Sequence, residues 1–142
     1  MRVVLVDDQK LVRQGFRLIL AVEPDITVVG EATNGAEGVD VLKETAPDVV
    51  LMDVQMPVMD GVAATAKIRE FSDVKVVILT TFDRDDYLFD ALDAGASGFM
   101  LKNAEAESLV AGLRQGADGH ALLAPEVTRR VIAPVGASGE HG

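Results

Sequence analysis

Four apolar runs in this chain each stop on a polar side chain able to do chemistry. "VVLV" runs into Asp7-Asp8, "VVLM" into Asp53, "VVIL" into Thr80-Thr81, and "GFML" into Lys102. Brought to one place, these supply three carboxylates, a hydroxyl and an ammonium. Crowded carboxylates repel, so one must be protonated or a cation must join them. Hard oxygen ligands with no His or Cys beside them favour magnesium, which binds through a few carboxylates at about 2.1 Å and keeps several waters. Such an ion draws phosphoryl oxygens in turn, with Lys102 as a second positive contact and Thr80 as a hydrogen-bond donor. Asp53, alone between the acid pair and the Lys, is the carboxylate best placed to act as nucleophile. The chemistry is then phosphoryl transfer to an aspartate, metal and Lys balancing charge on the three equatorial oxygens.

Taken singly, each residue has a plainer reading. Asp7-Asp8 precede "QKLVRQGFRLIL", and Asp8 is expected to cap that helix whatever else it does. A lone carboxylate at a strand end is more often a turn residue, Thr is at home in strands, and a lone Lys is usually a solvated charge. The joint placement changes the balance.

The elements that must position these groups are legible as an alternation. Strands are read at Arg2–Asp7, Ile26–Ala32, Asp48–Asp53, Val74–Thr80 and Ser97–Leu101, three of them nearly unbroken hydrophobics. Helical spacing separates them: Val12, Phe16 and Ile19; Val39, Leu42 and Ala46; a weaker third helix from Gly61 to about Glu70 with Ala64 and Ile68 inward. Leu88, Ala91, Leu92 and Gly95 mark the fourth, and Val110, Leu113 and Ala117 the fifth. Turn signals at Glu23-Pro24-Asp25, Asn34-Gly35, Ala46-Pro47 and Gly95 fall between them. Five strand–helix units argue for an open α/β sheet with right-handed crossovers. In such a sheet ligands bind outside the carboxyl ends of the strands, where all these polar residues stand. Pattern alone leaves the strand order open.

Composition agrees. At 142 residues the chain is one domain's worth, able to bury roughly 70% of its unfolded surface. Apolar residues make up 49% and aromatics 4%, so Val, Leu, Ile and Ala must fill the core. A net charge of -10 opposes direct binding of nucleic acid. The absence of Cys excludes disulfides, thiolate zinc sites and cysteine nucleophiles. No signal peptide and no membrane span is read, so a soluble cytoplasmic protein without membrane contact is expected.

With those residues in place, the chain resembles the receiver domain of two-component response regulators. The resemblance covers residues 1 to about 123 and rests on "VLVDDQ", "DVVLMDVQMPVMDG", "VVILTTF" and "AGASGFMLK", in the family's order and spacing. It implies a flavodoxin-like, doubly wound sheet of five parallel strands, order 2-1-3-4-5, with five surrounding helices. It also implies that Asp53 is the phosphoacceptor, loaded by a sensor histidine kinase. Asp7 and Asp8 would bind magnesium with Asp53 and the backbone carbonyl of Gln55. Thr80 and Lys102 would hold the phosphoryl oxygens, and Phe99 matches the aromatic switch position that swings inward when Thr80 moves. Met56-Pro57 would shape the loop beside the acceptor, and Gly61 would let the chain turn into the third helix. Position 99 often carries Tyr in this family, Asn103 stands where many members have Pro, and Thr81 fills a place that is commonly Ala, with an expected effect on hydrolysis rate.

"TTFDRDDYLFDALDAGASGFMLKN" followed by "LLAPEVTRR" leans toward the subfamily whose receivers precede a LuxR-type helix-turn-helix, often called NarL/FixJ. DNA is then contacted only through that output domain, absent from this chain, which reads as a receiver cut from a longer transcription regulator, with a naturally single-domain receiver as the alternative. Residues 124–142 read as linker and tail, with a short helix over 125–132. Tyr87 and Phe89 fall off the inner stripe of the fourth helix among several aspartates. The plainer account of them is a solvated acidic helix with two half-buried aromatics. A phosphorylation-dependent homodimer through helix one, helix five or this face is the hypothesis set beside it. Other classes fit less well: "VDDQKL" would repel a flavin phosphate, and a haloacid-dehalogenase-type phosphatase needs an acid where Gln55 stands. No P-loop or dinucleotide fingerprint is present. His120 and His141 are too few and too late for a metal site. A degenerate receiver that binds partners without phosphate is opposed by the intact set Asp7, Asp8, Asp53, Thr80 and Lys102.

Overall fold

The computed structural model describes residues 1–80, 88–102, 106–117 and 122–123. The expectations for Thr81, Tyr87, Asn103, both histidines and residues 124–142 lie outside them, and so does the side chain of Phe89.

The Val-rich runs form strands β1 (Arg2–Val6), β2 (Thr27–Ala32), β3 (Val49–Asp53), β4 (Lys75–Thr80) and β5 (Gly98–Leu101), with a two-residue β6 (Leu122–Leu123). All pairings are parallel, and the order is β2-β1-β3-β4-β5-β6. The five-strand order 2-1-3-4-5 is therefore as the resemblance implied. The short sixth strand, pairing Gly98 with Leu122 and Phe99 with Leu123, extends the sheet beyond it. Two residues are too few to show a periodicity. The observed strands are trimmed by a residue at one end. Asp48, for example, turns its carboxylate to the Arg2 backbone N–H at 2.7 Å instead of opening β3.

The crossovers are helices α1 (Lys10–Ala21), α2 (Gly35–Thr45), α3 (Gly61–Arg69), α4 (Leu88–Ala94) and α5 (Ala106–Ala117). Strand side chains alternate between faces, so the sheet divides the apolar interior in two. Val4, Val6, Val50, Met52, Val76, Ile78 and Phe99 pack with Val39 and Leu42 of α2, Ala64 and Ile68 of α3 and Ala91 of α4. Val3, Leu5, Leu51, Val77 and Leu79 pack with Phe16 and Leu20 of α1 and Leu109, Val110 and Leu113 of α5. Every residue of β3 is buried, as its central place requires.

Local chemistry sets the helix ends. Asn34 caps α2 by accepting from the Glu37 N–H, and Asp60 caps α3 by accepting from the Ala63 N–H. Ala46, expected on the inner stripe of α2, is exposed instead and left-handed at φ 47°. Pro47 follows it and disfavours helical backbone there, so the helix closes with the Ala46 N–H on the Leu42 carbonyl. Among the described residues no helix is long and apolar enough to cross a membrane.

Candidate functional site

Because the strands run parallel, β1, β3, β4 and β5 all end on one rim. The register pairs Val6 with Met52, Asp53 with Leu79, and Thr80 with Leu101. Asp7 follows Val6 and Lys102 follows Leu101, so the polar residues form one row. The Lys102 ammonium lies 3.0 Å from an Asp53 carboxylate oxygen and 3.2 Å from Oδ2 of Asp7. Carboxylate oxygens of Asp7, Asp8 and Asp53 all come within 4.8 Å of one another. Asp7 and Asp53 are buried, and Asp8 is exposed at the mouth. A cleft open to solvent, lined by Asp8, Gln9, Asp53, Gln55, Pro57 and Lys102 among others, gives access from outside.

Asp8 does not cap α1. The N-cap position belongs to Gln9, whose side chain makes no capping bond. It is Asp7 that reaches forward, Oδ1 accepting the Gln9 N–H at 2.8 Å. The sequence reading chose the wrong member of the pair, because the bond is made before the helix begins.

Asp7 is fixed on its other polar atoms too. Its N–H donates to the Ala32 carbonyl at 3.1 Å, and its own carbonyl accepts from Nη1 of Arg13 at 2.6 Å. Only Oδ2 remains without a hydrogen-bond partner, the one such buried side-chain atom among the described residues. Lys102 stands within ion-pair range of it, at 3.2 Å. A buried carboxylate oxygen left this way, beside two further carboxylates, is what a hard divalent cation satisfies. The donor set fits magnesium.

The electrostatics follow from crowding. Burial pushes the Asp53 carboxyl above the usual range; the negative charge of Asp7 adds to this, while Lys102 and the Gln55 N–H oppose it. Burial works against the Lys102 ammonium, but Asp53 and Asp7 outweigh it and hold its pKa above the ordinary Lys value.

Thr80 is buried at the end of β4, its carbonyl accepting the Lys102 N–H at 2.8 Å. Phe99 is fully buried in the α2–α4 core beside Ile78. The loop after β3 closes tightly: the Met59 N–H bonds the Pro57 carbonyl at 2.7 Å, and the Gly61 N–H the Val54 carbonyl at 2.8 Å. Val58 between them takes φ 69°, a conformation that β-branched residues rarely adopt. The structure thus brings Asp7, Asp8, Asp53 and Lys102 together, with Thr80 and Gln55 on the same rim and Phe99 below it.

Arg13 and Gln9 escaped the sequence reading. The expected inner stripe of α1, Val12, Phe16 and Ile19, does pack on the core, Phe16 buried and the other two partly so, and Leu20 joins it as a buried residue. Counting back from Phe16 by three and from Leu20 by seven reaches Arg13, the signal that was there to be used.

A family model described as the response regulator receiver domain matches residues 3–114. Transcriptional regulatory protein LiaR of Bacillus subtilis (strain 168) is 41% identical over 141 residues, spanning 99% of this chain and 67% of that protein. The nitrate/nitrite response regulator protein NarL of Escherichia coli (strain K12) is 35% identical over 137 residues, 96% of this chain and 63% of that one. Among solved structures, a LuxR-family two-component response regulator from Aurantimonas sp. SI85-9A1 matches with a TM-score of 0.88 at 30% identity, covering 94% of this chain and 96% of the other. The chain spans about half to two-thirds of the length of the first curated relatives it matches. The chain belongs to the response regulator receiver family, signalling proteins rather than classical enzymes, and its relatives are transcriptional regulators of the LuxR/NarL kind.

Proposed function

We propose that the chain accepts a phosphoryl group on Asp53 from a sensor histidine kinase, in a magnesium-dependent reaction it catalyses itself, and answers with a change of conformation and self-association. The observation that carries this reading is the Lys102 ammonium lying 3.0 Å from Asp53 and 3.2 Å from Asp7 at the floor of a cleft open to solvent. Asp7, Asp8, Asp53 and the main-chain carbonyl of Gln55 would hold the magnesium. When bound, the ion supplies positive charge to the carboxylates and to the incoming phosphoryl oxygens. An Asp53 oxygen forms the bond to phosphorus as the phosphorus–nitrogen bond to the kinase histidine breaks, its electron pair leaving on the imidazole. Lys102 stays charged and takes one phosphoryl oxygen, and the Thr80 hydroxyl donates to another. Movement of Thr80 changes the space above Phe99, which links the site to the α4–β5–α5 side. Water later removes the phosphoryl group.

The receiver unit is assigned to residues 1–123 and a tail to 124–142; the end of β6 at Leu123 supports that boundary. Names of the relatives support a transcriptional output, with DNA contacted through a helix-turn-helix domain outside these 142 residues and the protein acting in the cytoplasm. The test is incubation with magnesium and acetyl phosphate. One acid-stable, base-labile phosphoryl group should appear, and it should be lost with chelator and in Asp53→Asn. Labelling that survives Asp53→Asn places the acceptor elsewhere.

A further inference from the structure

Arg13 is mostly buried and forks between two targets. Its Nη1 donates to the Asp7 main-chain carbonyl at 2.6 Å, and its Nε donates to Glu31 Oε1 at 3.0 Å. The other oxygen of Glu31 accepts from Arg17 Nη1 at 2.6 Å. Glu31 belongs to β2 and both arginines to α1, so one carboxylate of the sheet edge fixes the helix, and the helix fixes Asp7.

Placing a cation here is costly on simple Coulomb grounds, because a guanidinium near a site for a divalent ion repels that ion. Charge balance is not its task, because Lys102 already lies against Asp7 and Asp53, and the charge of Arg13 is itself paired with Glu31. What the fork supplies is position. It holds the carbonyl of Asp7 from the α1 side while the Gln9 N–H holds Oδ1, and Oδ2 is left without a hydrogen-bond partner, toward Lys102. Side-chain exposure separates the two arginines: 12% for Arg13 against 50% for Arg17. Of the two, it is Arg13 that hydrogen-bonds the turn carrying the acid pair.

On these grounds, and resting on the metal-binding role proposed above for Asp7, we infer that Arg13, oriented by Glu31, is a positioning residue that presets Asp7 to receive a divalent cation. The pair is an outer layer of the metal site built from α1 and β2, two elements that contribute no ligand of their own.

The test uses the 142-residue chain and Mn2+ alone as probe, with free ion measured by its paramagnetic resonance signal and the metal-free fold checked by circular dichroism. Arg13→Ala should bind Mn2+ about 10-fold more weakly than the parent, in the range found for partners that orient metal ligands. Arg13→Lys, which keeps a donor for the Asp7 carbonyl but loses the fork, should fall between. Arg17→Ala removes the same charge and a bond to the same Glu31 but leaves Asp7 held, and should change affinity by no more than about 2-fold, as an exposed ion pair does. Equal or tighter binding in Arg13→Ala would show that repulsion outweighs positioning and would overturn the inference. Equal weakening in Arg17→Ala would overturn it as well. Should Arg13→Ala fail to fold, unchanged binding in Arg13→Lys decides against it. A parent chain that binds no Mn2+ refutes the metal-binding role instead, a separate result.

Discussion

Two glycines separate space from backbone freedom. Gly61 opens α3 directly above the end of β3. A Cβ built there would meet the Asp53 carbonyl oxygen at 2.3 Å, Val54 Cα at 3.0 Å and the Asp53 carbonyl carbon at 3.2 Å. All three are main-chain atoms and cannot swing aside. Relief requires α3 or the end of β3 to shift by about 1 Å, the distance to ordinary van der Waals contact. Overpacking of that kind costs about 1–3 kcal/mol, against a gain of up to ~0.5–1 kcal/mol for Ala over Gly in a helix. Gly15, in the body of α1, has nothing within 4 Å of its would-be Cβ. There only the gain remains, about 0.5–1 kcal/mol. At roughly 2–4 °C per kcal/mol for a chain near this size, Gly61→Ala should lower Tm by several degrees and Gly15→Ala should raise it by a few. Differential scanning calorimetry on both variants and the parent measures this. Gly61→Ala should also slow labelling by acetyl phosphate, since the displaced atoms are those of Asp53. A Gly61→Ala protein as stable as the parent would refute the claim that the helix rests on the carbonyl of Asp53. A destabilised Gly15→Ala would refute the use of Cβ contacts to decide the sign.

Further outcomes are expected at the site and beneath it. Lys102→Met leaves Asp7 and Asp53 without their counter-charge. Urea unfolding of the metal-free variant should show a loss of about 1–3 kcal/mol, and magnesium should restore more stability to it than to the parent; an equal response would separate the Lys from the metal site. The raised pKa of Asp53 means the folded chain holds that proton more tightly than the unfolded chain does. Its contribution to stability is therefore present below the ordinary carboxylate pKa and is lost as pH rises through the raised value. In chelator, urea midpoints of the parent should carry this downward component, and Asp53→Asn should lack it; identical profiles would contradict the shift. Phe99 is fully buried, so Phe99→Ala should cost about 3–5 kcal/mol in the same unfolding assay. A loss under 1 kcal/mol would mean that the core beneath the rim closes over the gap.

The parts of the molecule that obey a simple period were readable in advance. Unbroken runs such as Val49–Met52 announce a strand buried on both sides, and the residue that ends each run marks the rim. That is why Asp7, Asp53 and Lys102 can be gathered from the sequence alone. The order of the strands was not in the pattern, since nothing in a run of Val and Leu names its neighbour; it came with the family's motifs. The misses are decided by single hydrogen bonds. Asp7 rather than Asp8 takes the Gln9 amide, Asp48 leaves β3 for the Arg2 amide, and Ala46 yields to the proline behind it. Arg13 was hidden for another reason. A charged side chain next to an apolar stripe reads as solvated until the acceptor that lies over it, here the Asp7 carbonyl, is seen.

Leu51 and Met52 are adjacent in β3 yet belong to opposite halves of the interior, Leu51 facing α1 and α5, Met52 facing α2, α3 and α4. Evolution can therefore resize either layer by exchanging one aliphatic group for another. A single inserted or deleted residue is another matter, because it would send every later side chain of the strand to the wrong layer and turn Asp53 away from Lys102. The length of β3 is thus constrained more tightly than its spelling, and the acidic rim inherits that constraint.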